Sequence, residues 1–281
     1  MPILWLASYP KSGNTWLRAF LANYLRNAAE PQDINALPEF ALGDMRIAPY
    51  ARISGKDQAA LSREEINRLR PEAHRALAAA STGLVPVKTH SAVATIAGIP
   101  TITPDVTFGA IYVIRNPLDV AASFSHHYAV GMDQAVTAIC FRGLEIPAKV
   151  GHVVQVVSDW STHVKSWLNA PGLNLKTLRY EDMLASPRHV FAEVCTFLRM
   201  PRDEARLRRA IRHSSFRVLA EQERQRGFVE RARGADAFFR RGRAGAWREE
   251  LTPAQVETIL AHHRPLMIKL GYVSADGKVL V

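Results

Sequence analysis

Residues 3–27, "ILWLASYPKSGNTWLRAFLANYLRN", join a short apolar run to an amphipathic one across a polar loop, and they constrain the fold more than any other part of the chain. Residues 3–7 predict a buried strand. Over 14–27, Trp16, Leu17, Phe20, Leu21, Tyr24 and Leu25 recur at helical spacing. A strand that runs through a tight loop into a helix aims backbone N–H groups and the positive end of the helix dipole at one point, which favours an anion there. Gly13 permits close backbone approach, Ser12, Asn14 and Thr15 offer side-chain donors, and Lys11 brings a full positive charge. The loop is not a Walker A motif, because G-x-x-x-x-G-K-[ST] is absent and Lys11 precedes its glycine. Taken alone, it is equally compatible with an ordinary βα turn carrying a surface lysine.

Three further runs predict strands: "LVPVK" at 84–88, "GAIYVIR" at 109–115 and "NLKTLR" at 174–179. The first two end in a basic residue at the C-terminal edge, where open parallel sheets bind their ligands. Asn116 and Pro117 open a helix as cap and first residue. Other helices are predicted over 62–80, 132–145, 153–168, 187–198, 203–213 and from about Thr252. This βα rhythm, without a repeat or linker, predicts an α/β fold: one domain over 1–281, with a mostly parallel central sheet flanked by helices and a phosphate-binding loop after the first strand. Residues 28–83 are expected to form a variable excursion, and 221–248 an Arg- and Gly-rich surface segment.

Lys and Arg number 36 against 26 Asp and Glu, a formal net charge of +10. That balance favours an anionic partner, whether nucleic acid, an anionic membrane surface or a phosphorylated small molecule. The apolar run before Lys11 is too short for a signal-peptide core, and no uncharged apolar run reaches the roughly 18 residues of a membrane span, so a cytoplasmic location without membrane insertion is expected. Cys140 and Cys195 lack metal-ligand spacing and read as buried thiols.

"YPKSGNTW" resembles the 5′-phosphosulfate loop, Y-P-K-S-G-T-T-W, of the cytosolic-type sulfotransferases, whose donor is 3′-phosphoadenosine 5′-phosphosulfate (PAPS). Four further segments resemble that family in its chain order. "VKTH" is similar to its catalytic strand end, and "YVIRNPLDVAASF" to its 3′-phosphate segment, with Arg115 and Ser123 eight apart. "RYEDML" and "HSSF" are similar to its adenine-side elements, and "FFRRGRAGAW" to the R-K-G-x-x-G-x-W segment that closes over the 3′-phosphate. Asn14 stands where the family usually has Thr, and Arg241 where it usually has Lys.

The resemblance implies sulfuryl transfer from PAPS, with 3′-phosphoadenosine 5′-phosphate (PAP) as product, to a hydroxyl, or less readily an amine, of a small or medium organic acceptor. His90 would be the general base, Lys11 would stabilise charge on the bridging oxygen, and Lys88 would assist. Lys11, Ser12, Gly13, Asn14, Thr15 and Trp16 would hold the 5′ end of the donor. Arg115, Ser123, Arg240, Arg241 and Gly242 would surround the 3′-phosphate. Trp16 and Phe216 would stack on adenine, with Tyr180 at its edge. The excursions 28–83 and 124–160 would shape the acceptor pocket, and "RRGRAG" would act as a lid within 221–248. No metal is expected: Asp119 reads as a complement to a helix dipole, and His126 and His127, without supporting ligand spacing, read as surface residues more readily than as lining of the acceptor pocket. "REELTPAQVE" loosely resembles the family's dimer segment, so a homodimer is a weaker expectation, and "TP" there also reads as a helix cap. Two other readings are an ATP-dependent kinase on a P-loop-like fold, disfavoured by the lysine position, and a non-catalytic basic nucleic-acid-binding protein, for which no recognised motif is present.

Overall fold

The computed structural model describes residues 2–281. Five strands, β1 (Ile3–Ser8), β2 (Leu42–Gly43), β3 (Val85–Thr89), β4 (Thr107–Ile114) and β5 (Leu175–Arg179), form one parallel sheet in the order β2-β3-β1-β4-β5. Central β1 pairs Trp5 with Val87 on one side and Ala110 on the other, and every residue of it is buried. A strand covered on both faces must be continuously apolar, which is why "ILWLA" shows no alternation.

Each face carries its own core. Ile3, Trp5, Ala110 and Tyr112 pack against Trp160, Trp167 and Met267 on one side. Leu4, Leu6, Ile111 and Val113 pack against Leu17, Phe20 and Phe191 on the other. The helices that cover them are α1 (Asn14–Arg26), α2 (Arg63–Ala78), α3 (Pro117–Tyr128), α4 (Met132–Cys140), α5 (Trp160–Leu168), α6 (Tyr180–Ala185), α7 (Pro187–Phe197), α8 (Glu204–His213), α9 (Phe216–Arg226) and α10 (Pro253–Lys269). Among the described residues no helix is long and apolar enough to cross a membrane.

Local chemistry explains the boundaries. Ser62 and Glu65 close a capping box on α2. Asn116 accepts from the Leu118 N–H with Pro117 at the first helical position, as its sequence predicts. Thr252 caps α10 ahead of Pro253, and Glu257 on that helix pairs with Arg264, so the "TP" step is a helix start.

Three expectations need correction. The helix predicted over 153–168 is confined to Trp160–Leu168, because Asp159 caps it by accepting from Thr162 N–H at 2.9 Å. The helix predicted over 132–145 stops at Cys140, since Phe141 turns extended and residues 145–146 pair with 155–156 in a two-stranded antiparallel ribbon. Cys195 is buried, but Cys140, at the end of α4, is only half-buried, with Sγ 3.6 Å from His263 Nε2. Residues 28–83 also contribute β2, an edge strand of two residues with no local signature of its own.

Candidate active site

At the C-terminal edge of β1, residues 9–13 turn through two left-handed positions, Lys11 (φ 67°) and Gly13 (φ 107°), and deliver the chain into α1. A side chain at position 13 would be strained by that φ and would bring its Cβ to 2.7 Å from the Tyr180 ring. The glycine is therefore obligatory. Tyr180 is buried beneath the loop with the Arg115 guanidinium stacked 4.4 Å from its ring centroid, so it supports both phosphate-side elements.

Within the loop, the Asn14 amide donates to Leu6 O at 2.8 Å and accepts from Arg18 Nε at 3.1 Å. These two bonds orient the side chain and leave one Nδ2 hydrogen, beside the backbone N–H, as a donor toward an anion. Thr15 Oγ1 accepts from Arg18 Nη2 at 3.1 Å, leaving its own O–H to give. Ser12 Oγ, Trp16 Nε1 and Arg115 Nε are buried polar atoms without a protein partner, all at or beside this loop. Such orphans are rare, and a clustered set marks where polar ligand atoms fit.

His90 follows β3 directly. Its Nδ1–H donates to Ser8 O at 2.8 Å, which leaves the Nε2 lone pair free. His163, from α5, donates its Nε2–H to His90 O at 3.1 Å and accepts at Nδ1 from the Tyr112 hydroxyl at 2.7 Å, fixing the backbone that carries the base. Burial and the charge of Lys88 hold the His90 pKa well below the usual imidazole value, so the ring is neutral. Burial, then Lys88 and Arg115, push the Lys11 ammonium down to about 7, and its Nζ lies 3.9 Å from the Phe238 ring centroid. Lys88 is also lowered by burial and by Arg18, against the opposing pull of Glu230.

Two features escaped the sequence reading. Arg18, fully buried, forms a bidentate pair with Glu230 at 2.9 and 2.6 Å, and Glu230 Oε2 lies 3.1 Å from Lys88 Nζ. These cations draw the Glu230 carboxyl far below its ordinary range despite its burial. The sequence held half a signal, for Arg18 sits between Leu17 and Leu21 on the apolar stripe. Asp119, read as a dipole complement, is 1% exposed and accepts from Gly245 N–H at 2.8 Å and Trp247 N–H at 3.0 Å, pinning the 240s segment to α3.

Arg240 pairs with Glu250 at 2.7 Å and Arg241 with Glu249 at 2.8 Å, acids that the motif reading did not include. Gly242 (φ 60°) lies against Phe216, whose ring atoms would stand 2.2 Å from a Cβ there, so the two are fitted to each other. Trp16 packs edge-on against Tyr180 and Phe191. His126 pairs with Glu250 at the surface, while His127 lines the cleft against Phe238, correcting its expected exposure.

One cleft of about 1140 Å³ is bordered by every sequence-nominated residue except Ser12, which is buried just behind it. It brings together an anion-cradling loop, a neutral histidine with a free lone pair, two half-buried lysines and a clasp of arginines. Chemically, that set can hold a polyanionic nucleotide, take a proton from a nucleophile and stabilise a negatively charged leaving group.

A family model described as the sulfotransferase domain matches residues 2–271. Sulfotransferase 1B1 of Canis lupus familiaris is 26% identical over 258 residues, 90% of this chain and 79% of its own length. Sulfotransferase 1 family member D1 of Mus musculus is 30% identical over 152 residues, 52% of this chain and 50% of its own; most of the other curated matches likewise span about half of the relative. Among solved structures, retinol dehydratase in complex with androsterone and inactive cofactor PAP superposes with a TM-score of 0.64 at 20% identity, covering 94% of this chain and 80% of that one. Mouse sulfotransferase SULT7A1 complexed with PAP gives 0.61 at 17% identity, covering 98% and 84%.

Proposed function

This chain belongs to the sulfotransferase domain family, and we propose that it transfers a sulfuryl group from PAPS to a hydroxyl of an organic acceptor, with His90 as general base. The observation that carries the reading is the His90–Ser8 hydrogen bond, which leaves an unprotonated Nε2 facing the same cleft as the Lys11 loop. The PAP complexes of two fold relatives support a nucleotide in that cleft.

The donor supplies an activated sulfuryl group on a phosphate leaving group, and the residues do the rest. Backbone N–H groups of 12–15, the Ser12 hydroxyl and Lys11 hold the 5′ end. Arg115, Ser123, Arg240, Arg241 and the Gly242 backbone hold the 3′-phosphate, the group that separates this donor from ATP, and arginine forks suit it. Trp16 and Phe216 flank the base, over the Tyr180 support. His90 Nε2 takes the acceptor proton as the oxygen attacks in line, and Lys11 meets the charge that grows on the departing phosphate oxygen. Lys88, held by Glu230, orients the sulfuryl oxygens. The segment 227–245 closes the nucleotide side as a lid.

Sulfur-labelled PAPS with a panel of phenols and alcohols tests this reading, comparing the native protein with His90→Ala. Loss of about 10²–10⁴-fold in transfer with PAP affinity retained is expected. Equal transfer by both proteins removes His90 from its role, and PAP binding no tighter than that of ADP removes the donor assignment.

A further inference from the structure

We propose that the acceptor carries an anionic group, such as a carboxylate, phosphate ester or sulfate ester, at the end remote from the hydroxyl that is sulfated. The inference rests on the sulfotransferase reading and deepens it. Beyond His90 the cleft is walled by residues 43–48 and 146–153. These two segments are zipped together: Val153 N–H donates to Met45 O at 2.7 Å, Ile47 N–H donates to Gly151 O at 3.0 Å, and Arg46 pairs with His152 in an antiparallel bridge. Asp44 N–H donates to Lys88 O at 3.1 Å, tying this wall to the strand that bears the catalytic histidine.

The wall has two chemical characters. Met45, Ile47, Ile146 and Val153 offer an apolar surface, and Arg46 and Lys149 place positive charge beside it. Arg231 and Arg233, which follow Glu230, border the same cleft. The carboxylates that line the cleft are Asp44, Asp119 and Glu230, and each is already committed. Asp44 is buried and accepts from Thr89, Ser91 and Gln155; Asp119 holds Gly245 and Trp247; Glu230 holds Arg18 and Lys88. Among the described residues no carboxylate lies within 4.0 Å of Arg46, Lys149, Arg231 or Arg233.

Arg46 is half-buried and spends one nitrogen, Nη2, on Pro38 O at 3.0 Å, so the rest of its fork is free to pair. The same positive field acts on His152, which burial, Lys149, Arg46 and Lys88 together hold below its ordinary pKa. An acceptor with an apolar body and a distal anion matches both characters at once. A protonated amine there meets repulsion from Arg46 and Lys149, so the field also argues against amine-bearing acceptors.

The test uses the protein saturated with PAP and three matched phenols, 4-ethylphenol, 3-(4-hydroxyphenyl)propionate and tyramine, with affinities read by calorimetry. The anion is expected to bind about tenfold tighter than the neutral phenol and the cation weakest of all, with the spread narrowing as salt rises. Arg46→Gln and Lys149→Gln should each remove about three- to fivefold of the anion's advantage while PAP affinity holds. Lys149, on an exposed turn, carries the test should Arg46→Gln fail to fold. Equal or tighter binding of either other phenol, or no binding by the anion, overturns the inference alone. Failure of PAP itself to bind overturns the donor assignment and this inference with it.

Discussion

Arg18 and Glu230 lie 212 positions apart and meet through two hydrogen bonds of 2.9 and 2.6 Å, joining the helix behind the phosphate loop to the Arg-rich segment that crosses the cleft. Arg18 is fully buried, so Glu230 is the group that compensates its charge, and Glu230 shares itself with Lys88. Removing one member of a buried pair leaves the other charge uncompensated, which is the costly case.

Glu230→Gln keeps the shape and an acceptor oxygen but removes the charge. The expected loss is about 1–3 kcal/mol in unfolding free energy, read by urea denaturation. Protease sensitivity between residues 227 and 245 should rise with it. A variant as stable and as protease-resistant as the native protein would show that the segment is not fastened here.

Asp119 fastens the other end of that segment. Its two acceptor bonds to Gly245 and Trp247 are made by a side chain that is 1% exposed, and each buried N–H left without a partner costs about 1–3 kcal/mol. Asp119→Ala is therefore expected to weaken PAP binding by at least about fivefold, because Arg240, Arg241 and Gly242 lie immediately before the released anchor. Calorimetry reads this directly, and an unchanged affinity would mean that the arginines hold their places without Asp119.

What the sequence revealed and what it hid divide along contact range. The loop at 9–16 and the capped start of α3 depend on residue type within a few positions, so each is readable from its own segment, whereas the Gly242 segment is legible only through its resemblance to the family motif. The Arg18–Glu230 pair, the Asp119 anchor and the His163 support of His90 join residues more than 70 positions apart, and nothing local announces such a partner. The errors at 153–168 and 132–145 arose where apolar spacing continued past a stop set elsewhere: by the Asp159 cap and by the pairing of 145–146 with 155–156. Two-residue β2 exists only because β3 offers it an edge.

Lys11 gives a proton-linked prediction. With its pKa lowered to about 7 by burial and by neighbouring cations, it is mostly neutral at pH 8, and an anion beside it restores the charge. PAP binding at pH 8 should therefore take up close to one more proton in the native protein than in Lys11→Arg, whose guanidinium is charged throughout. Calorimetry in two buffers of different ionisation enthalpy measures the difference. Equal uptake by the two proteins would place Lys11 away from the bound anion.

Three buried histidines make stability fall on the acid side. Burial lowers His74 to about 3 and His163 and His263 to about 4, each from an ordinary value of 6.5. In the window between the lowered and ordinary values the unfolded chain binds protons that the folded one does not. Stability therefore rises with pH across that window and is lost as pH drops below about 6.5. Each such group contributes a slope of up to about 1.4 kcal/mol per pH unit. His74 lies outside the cleft, with Nδ1 2.7 Å from Thr103 Oγ1, so His74→Gln should flatten the slope of unfolding free energy between about pH 6 and pH 4.5 without touching catalysis. Urea denaturation at a series of pH values gives that slope, and an unaltered one would show that His74 is protonated in the folded protein.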